Sequence, residues 1–540
     1  MQQPVTLPTK YYLSNFNKLC DHALTQYSDL LNVEEHNWLS QFAELDSESQ
    51  CLLVRLLTRK GDWFRTDKLV YQEIPNLDDA IQSLARVGFV ELNPTISCRE
   101  LAKQLFTKPE ILNVFELNAE LSKKRKEALI EEIENTAFHS YERLPFHCIR
   151  LNHAEILDVL QLLFFANSHQ DLSQFVLQDL GLLTFENYTL SKETRFFHHR
   201  QEIDTLITIY RLKDDYDSVE KAEKQTLTQN LLNQVPNTTG HDYVDGKREQ
   251  LINHLARDLE RQNSLQLAVD WFKRTTLPPS RERRARIYEK LGEFGHQTEV
   301  VQEMLTNPMD INEHEVAKRL ERKKLRREGI KTPGQVKPTI NQFSIELDLS
   351  QMRVELAVQQ YLEAQGWQVY YTENFLLTGV FGLAFWQAIF ATVDGAFINH
   401  YQRSPKDMFS PSFVHRRQHI IDSILENIEF NGLEYVLEIY DDKQGIENPF
   451  VHWSILTRDL LEKAIKAIPL EQFVVLFKVL LSDLKNMKTG MPDLIAFKQN
   501  RYWWVEVKGP GDKLQHNQER WIEHFIRHEI PYSVCYVSRL

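Results

Sequence analysis

The sequence predicts a multidomain, mostly α-helical protein that ends in a small α/β domain. Three observations carry this expectation. Glycine and proline are scarce, 18 and 19 in 540 residues, below the average of about 12% for the pair. Apolar residues recur at helical spacing through most of the chain. Strand-like runs gather near the C-terminus, in 491–508 and 532–537. At about 100–200 residues per domain, four regions are expected, at 1–60, 61–145, 146–330 and 340–540.

Composition narrows the function. The formal net charge is −13, from 63 basic and 76 acidic residues, so any polyanion must be held by local patches rather than by the total. Cys20, Cys51, Cys98, Cys148 and Cys535 are scattered, with no CxxC or Cys/His finger spacing. That pattern suits a reducing compartment and argues against structural zinc. The N-terminus lacks a signal-peptide core, and a cytoplasmic location is expected. Residues 374–393 run for twenty positions without a charge, near the length of a membrane span. They include Thr378, Gly379, Gly382, Gln387 and Thr392 and lack flanking Lys or Arg, so a buried core helix and no membrane partner are expected.

Residues 1–60 read as two or three helices. The stretch 62–92 reads as a strand, two short helices and a closing strand, a winged-helix-like unit. Its Trp63, Phe64 and Arg65 form either a nucleic-acid grip or a core aromatic pair with a solvated arginine. Across 107–133 two short helices are expected, with Pro109 early in the first and Ser122 capping the second. Lys123, Lys124, Arg125 and Lys126 would then open a helix, where the dipole disfavours cations and a phosphate would give them a partner. Residues 145–270 show amphipathic helices without a clean repeat.

Beyond the Pro278-Pro279 break come Arg281, Arg283, Arg284 and Arg286. Residues 316–337 hold nine basic side chains, Arg322, Lys323 and Lys324 among them, against two acids, a local charge of +7. This is either a polyanion cradle or a solvated linker helix. The linker itself is GIKTPGQVKP at 329–338.

The most informative stretch is 491–518. Asp493 opens an apolar run, Gln499 and Asn500 fall at a turn, and a second β-rich run ends at Glu506, Val507 and Lys508. Pairing about 499–500 sets position 493 opposite 506, with Cβ atoms about 4.5–5.5 Å apart, a gap that one divalent cation can bridge. Alternation returns Lys508 to the face of Glu506. Phosphodiester hydrolysis needs an activated water and something to absorb transition-state charge, and divalent metals provide both. Asp493, Glu506 and the Val507 carbonyl are the candidate metal ligands. Lys508 is the candidate catalytic cation. A helix near 514–528 and the strand YSVCYV follow, and a right-handed crossover would set that last strand parallel in the same sheet.

An Asp followed by Glu-x-Lys on the neighbouring strand, with Pro492 before Asp493, resembles the PD-(D/E)xK nuclease superfamily. GMPDLIAF and WWVEVKGPGDKLQHNQ resemble its VRR-NUC branch and, more narrowly, the Fanconi-associated nuclease family. That resemblance implies a C-terminal PD-(D/E)xK nuclease domain, with Gln518 as a catalytic residue orienting Lys508 or phosphate. It also implies Glu373, in TENFLLTGVFGLAFW, as a third metal carboxylate; Glu355, in VELAVQQYLEAQGW, is the rival by similarity to shorter VRR-NUC proteins. A SAP-like N-terminal unit and a TPR-like middle are further expected. The implied cofactor is Mg²⁺ or Mn²⁺. The implied activity is cutting of branched DNA such as 5′ flaps, with 5′→3′ exonuclease action, in interstrand-crosslink repair; the alternative is a non-catalytic DNA-binding scaffold. No ubiquitin-binding finger matches, and the 5′-phosphate pocket of some members finds no residue-by-residue match, leaving Lys485 and Lys488 as candidates.

Overall fold

A computed structural model describes residues 8–167, 183–220, 223–330 and 339–540. Chain contacts divide it into two compact units, Met1–Leu182 with Phe197–Ile203, and Leu183–Phe196 with Asp204–Leu540. The middle helices and the C-terminal domain therefore share one unit. The linker core at 331–338, with Lys331 and Lys337, lies outside the described residues.

The first unit opens with helices Tyr11–Tyr27, Val33–Glu44 and Ser47–Leu57. Asn32 and Glu35 form a reciprocal capping box on the second, and the Asp46 carboxylate caps the third, satisfying N–H groups that no turn of helix can reach. The winged sheet follows, with strands β1 (Trp63–Arg65), β2 (Val90–Leu92) and β3 (Cys148–Leu151) in the order β1-β3-β2. Its central strand comes from a stretch read as helical. Four residues are too few for alternation to show, and only pairing to both neighbours makes them a strand.

Arg65 is neither solvated nor free for nucleic acid. It is 8% exposed, bonds Asp67 and Glu110 at 2.9 and 2.7 Å, and lies 3.8 Å from the Phe146 ring centre. The small core beside it is built by helices Cys98–Leu105, Lys108–Val114 and Lys126–Glu131. Ser122 does not cap a helix. It lies in the 3-10 segment Ala119–Lys123, where Asn118 accepts the Glu120 N–H at 3.0 Å. Only Lys126 of the basic run lies in an α-helix; Lys123 ends the 3-10 segment, and Lys124 and Arg125 join the two.

In the second unit, helices Asp242–Arg261, Leu265–Phe272, Ser280–Leu291, Phe294–Thr306 and Ile311–Arg327 each pack on the next. The C-terminal sheet runs β4-β8-β7-β6-β5, where β4 is Gln342–Leu347, β5 Gln368–Tyr371, β6 Leu494–Lys498, β7 Arg501–Lys508 and β8 Tyr532–Arg539. β6 and β7 pair antiparallel from Lys498↔Arg501 to Leu494↔Val505, with Gln499 at φ +57° in the turn. β8 joins parallel to β7 after the helix His516–Arg527, as the crossover rule requires. β4, a parallel edge strand, left no clear mark in the sequence because it is only half-buried.

Alternation splits the sheet between two cores. Leu494, Ala496, Val505 and Val507 pack with Val358 and Leu362 of the helix Val354–Ala364. Ile495, Phe497 and Trp504 face the larger core, so Asp493, Glu506 and Lys508 belong to that face. The charge-free stretch lies within this larger core as two helices, Phe375–Ala384 and Trp386–Ile389, rather than one. The break at Phe385 lets both Phe385 and Trp386 be buried. No described helix is long and apolar enough to cross a membrane.

Gly382 permits the tight seat of the first helix. A Cβ there would lie 2.8 Å from Phe450 Cβ, 2.9 Å from Asn448 Oδ1 and 2.9 Å from Val451 Cγ2. Gly382→Ala is therefore expected to cost about 1–3 kcal/mol of stability through overpacking. Thermal melting checks this, and an unchanged melting temperature would contradict the packing described.

Candidate active site

The hairpin register brings the two acids together. Asp493 immediately precedes β6, and continuing the ladder by one step sets it opposite Glu506. Its Oδ2 accepts the Val507 N–H at 2.8 Å, so the side chain prolongs the ladder where the β6 backbone turns away. Glu506 is 1% exposed and Lys508 7%, and Lys508 Nζ donates to Glu506 Oε1 at 2.6 Å. Gln518 Nε2 donates to the same oxygen at 2.6 Å. Gln518 thus acts on Glu506 rather than on Lys508 directly. Its own Oε1 accepts the Gln515 N–H at 2.9 Å in a capping box at the start of His516–Arg527, which fixes the side chain's aim.

Glu373 follows β5, whose last residue Tyr371 pairs with Leu494. Its N–H and that of Thr372 both donate to the Asp493 carbonyl, at 2.8 and 2.9 Å, which holds Glu373 at a left-handed φ of +37°. Glu355 lies in the first turn of Val354–Ala364. Both carboxylates reach Asp493 electrostatically. The two upstream candidates are therefore neighbours of the site rather than mutually exclusive choices.

Burial pushes Asp493 up to about 6, and the charges of Glu355 and Glu373 push in the same direction, while the Val507 N–H and Lys508 oppose them. Glu506 is pushed up to about 8, first by burial and then by Asp493, with Lys508 pulling it back. These are desolvated acids held against like charge. Among the described residues, no three His, Cys, Asp or Glu side chains stand together as a ready metal cage. The donor set nonetheless suits a hard divalent cation: carboxylate oxygens, a neighbouring backbone carbonyl, and an excess of negative charge that one lysine leaves uncompensated.

The basic candidates have varied settings. Lys123, Lys124 and Arg125 are exposed and Lys126 half-buried; Lys124 pairs with Glu132 at 2.6 Å, and Lys126 Nζ donates to the Lys103 carbonyl at 2.9 Å. Arg283 donates to Glu260 at 2.8 Å through Nε, Arg286 to Glu282 at 2.7 Å, and Arg284 is half-buried. Their neighbour Arg281 is buried against Glu313 at 2.9 Å. Arg281 and Arg283 thus hold helix to helix, while Arg286 pairs within its own helix. Arg322 and Lys324 are half-buried and Lys323 is exposed; Lys323 pairs with Glu289 at 2.8 Å. Lys485 is exposed, and Lys488 Nζ sits 4.1 Å from the Phe409 ring centre. Residue types alone gave no sign of Tyr371 or Asn374, which both hydrogen-bond to Glu373.

Both acids have folded values above the ordinary carboxylate range of about 4. The folded state therefore binds more protons than the unfolded one as pH rises from about 4, and stability falls until the folded groups have ionised. Asp493→Asn keeps an oxygen for the Val507 N–H and removes one of these acids. In metal-free buffer at pH 8 this variant should exceed the wild type by about 1–3 kcal/mol, and the gap should close near pH 4. Chemical denaturation at the two pH values tests this; a variant no more stable at pH 8 would contradict the assigned strain.

Comparison with known proteins covers the stretches that carry this site. The FAN1 HTH domain model matches residues 10–91, across the boundary expected at 60, and the VRR-NUC domain model matches 433–539, which includes Asp493, Glu506, Lys508 and Gln518 but neither Glu355 nor Glu373. A Fanconi-associated nuclease 1 homolog of Pseudomonas aeruginosa is 33% identical over 545 residues, covering 98% of this chain and 95% of the relative. An Arabidopsis thaliana homolog is 28% identical over 95% of this chain, which spans 65% of that relative. The crystal structure of paFAN1 bound to 2-nt 5′ flap DNA with a gap superposes with a TM-score of 0.86 at 32% identity, over 99% of this chain and 100% of that one. A second paFAN1 structure, with a 1-nt 5′ flap, gives 0.84. VRR-NUC membership implies phosphodiester hydrolysis with a divalent metal. A chain with this hairpin, this lysine and a relative matched over nearly its whole length belongs to the Fanconi-associated nuclease family.

Proposed function

We propose that this chain is a Mg²⁺- or Mn²⁺-dependent DNA nuclease that cuts branched substrates such as 5′ flaps, with 5′→3′ exonuclease action, in interstrand-crosslink repair. The observation that carries the chemistry is the Asp493–Glu506 pair, brought face to face by the β6–β7 register with Lys508 on the same face. The substrate follows from likeness to paFAN1, crystallised on 5′ flap DNA.

In this reading Asp493, Glu506, Glu373 and the Val507 carbonyl hold the metal, with Glu355 close enough to influence the first of them. The bound ion would supply Lewis acidity and a more acidic water. Were Glu506 to take a ligand role, Lys508 would be released from it, and its ammonium would face the scissile phosphate or orient the attacking water. Gln518 keeps Glu506 from swinging out of the site. Because Glu506 is held protonated by burial up to about pH 8, loading competes with protons and strengthens as pH rises.

DNA is held by exposed cations that are not committed to buried pairs. Lys123 and Arg125 are of this kind, as are Lys318, Arg319 and Arg326 on Ile311–Arg327.

Lys508→Ala should slow flap cleavage by about 10²–10⁴-fold while flap binding stays near the wild-type level; cleavage and mobility-shift assays on one labelled flap test both. Full cleavage by the variant would refute the role of the lysine. Replacing Lys123 and Arg125 together by Ala should weaken binding to all DNA sequences alike and reduce the slope of log K against log salt by about 2. An unchanged slope would remove that turn from the interface.

A further inference from the structure

Glu373 is gripped on both of its oxygens. The Tyr371 hydroxyl donates to Oε2 at 2.8 Å and Asn374 Nδ2 donates to Oε1 at 3.2 Å. Each carboxylate oxygen accepts along two lone pairs, so either bond leaves one lone pair for an ion. Asn374 does more than hold its neighbour. Its Oδ1 accepts the N–H groups of Gly490 and Met491 at 2.7 and 3.1 Å, in the loop that runs directly into Asp493. The same amide therefore touches the upstream acid at one end and the Asp493 loop at the other.

That loop is fixed from a third side. Gly490 has φ +102° and a Cβ on it would lie 2.6 Å from the backbone of Asn517, the residue before Gln518. The Trp521 indole N–H reaches the Met487 and Thr489 carbonyls, both at 3.2 Å. Glu373, Asp493 and Gln518 come from three stretches of chain, and residues 487–491 link all of them.

We infer that Asn374 and Tyr371 are positioning residues which, through bonds to both oxygens of Glu373, hold that carboxylate at a fixed distance from Asp493. This rests on Glu373 being a metal ligand. Outer partners of this kind typically change metal affinity by about 10–100-fold when removed.

The test is Mn²⁺ binding by the full chain at pH 8, read by electron paramagnetic resonance without DNA, in wild type, Asn374→Ala, Tyr371→Phe, Glu373→Ala and the two double variants with Glu373→Ala. Asn374→Ala and Tyr371→Phe should each weaken binding, by up to about 100-fold for the first; once Glu373 is gone Tyr371→Phe should weaken it no further, and the Asn374→Ala loss should shrink to the part carried through the 490–491 loop. A purely structural role would persist in the Glu373→Ala background. Tyr371→Phe leaves the 490–491 loop untouched and decides the matter should Asn374→Ala fail to fold. Wild-type affinity in both single variants, or undiminished losses in the double variants, overturns the inference while leaving the metal site standing. Unchanged affinity in Glu373→Ala overturns it together with its premise.

Discussion

The catalytic end of this protein depends on one hydrogen bond, from the Val507 N–H to the Asp493 carboxylate. It extends the β6–β7 ladder by one step using a side chain in place of backbone. Asp493 is thereby pinned opposite Glu506, and its main-chain carbonyl is left to receive the N–H groups of Thr372 and Glu373. The upstream acid, the hairpin acids and the lysine are thus assembled from a single point. A one-residue slip would send Glu506 and Lys508 to the opposite face of the sheet; the alternating apolar residues that pack into two separate cores resist it.

Burial gives the site its chemistry as well as its geometry. Glu506 is enclosed, with Asp493 across the ladder and only Lys508 to offset the charge. Such a pocket favours protons or a cation, and hydrolytic work at neutral pH calls for the cation. Gln518 and Lys508 meet on the same Glu506 oxygen, so a ligand role through that oxygen would rearrange at least one of these bonds. The helix His516–Arg527, anchored by buried Trp521 and Phe525, keeps Gln518 in reach throughout.

The hairpin was fully legible in the sequence because its evidence is local: two β-rich runs, a two-residue turn and matched distances from that turn to both acids. The parallel return of β8 followed from handedness. Tertiary context determined what was not legible. β3 is a strand only because β1 and β2 flank it, and nothing in Cys148–Leu151 announces them. Arg65, Arg281 and Arg283 read as surface cations, yet their partners Glu110, Glu313 and Glu260 lie 23 to 45 residues away. Glu373 and Glu355 could not be separated by pattern, and both act electrostatically on the same carboxylate.

Anomalous diffraction from crystals grown with Mn²⁺ at pH 8 tests the central claim most directly. A peak is expected within about 2.0–2.6 Å of oxygens from both Asp493 and Glu506, with Lys508 turned off Glu506. At saturating Mn²⁺, no peak between these two carboxylates, with the Lys508–Glu506 pair intact, would contradict the assignment of this hairpin as the metal site.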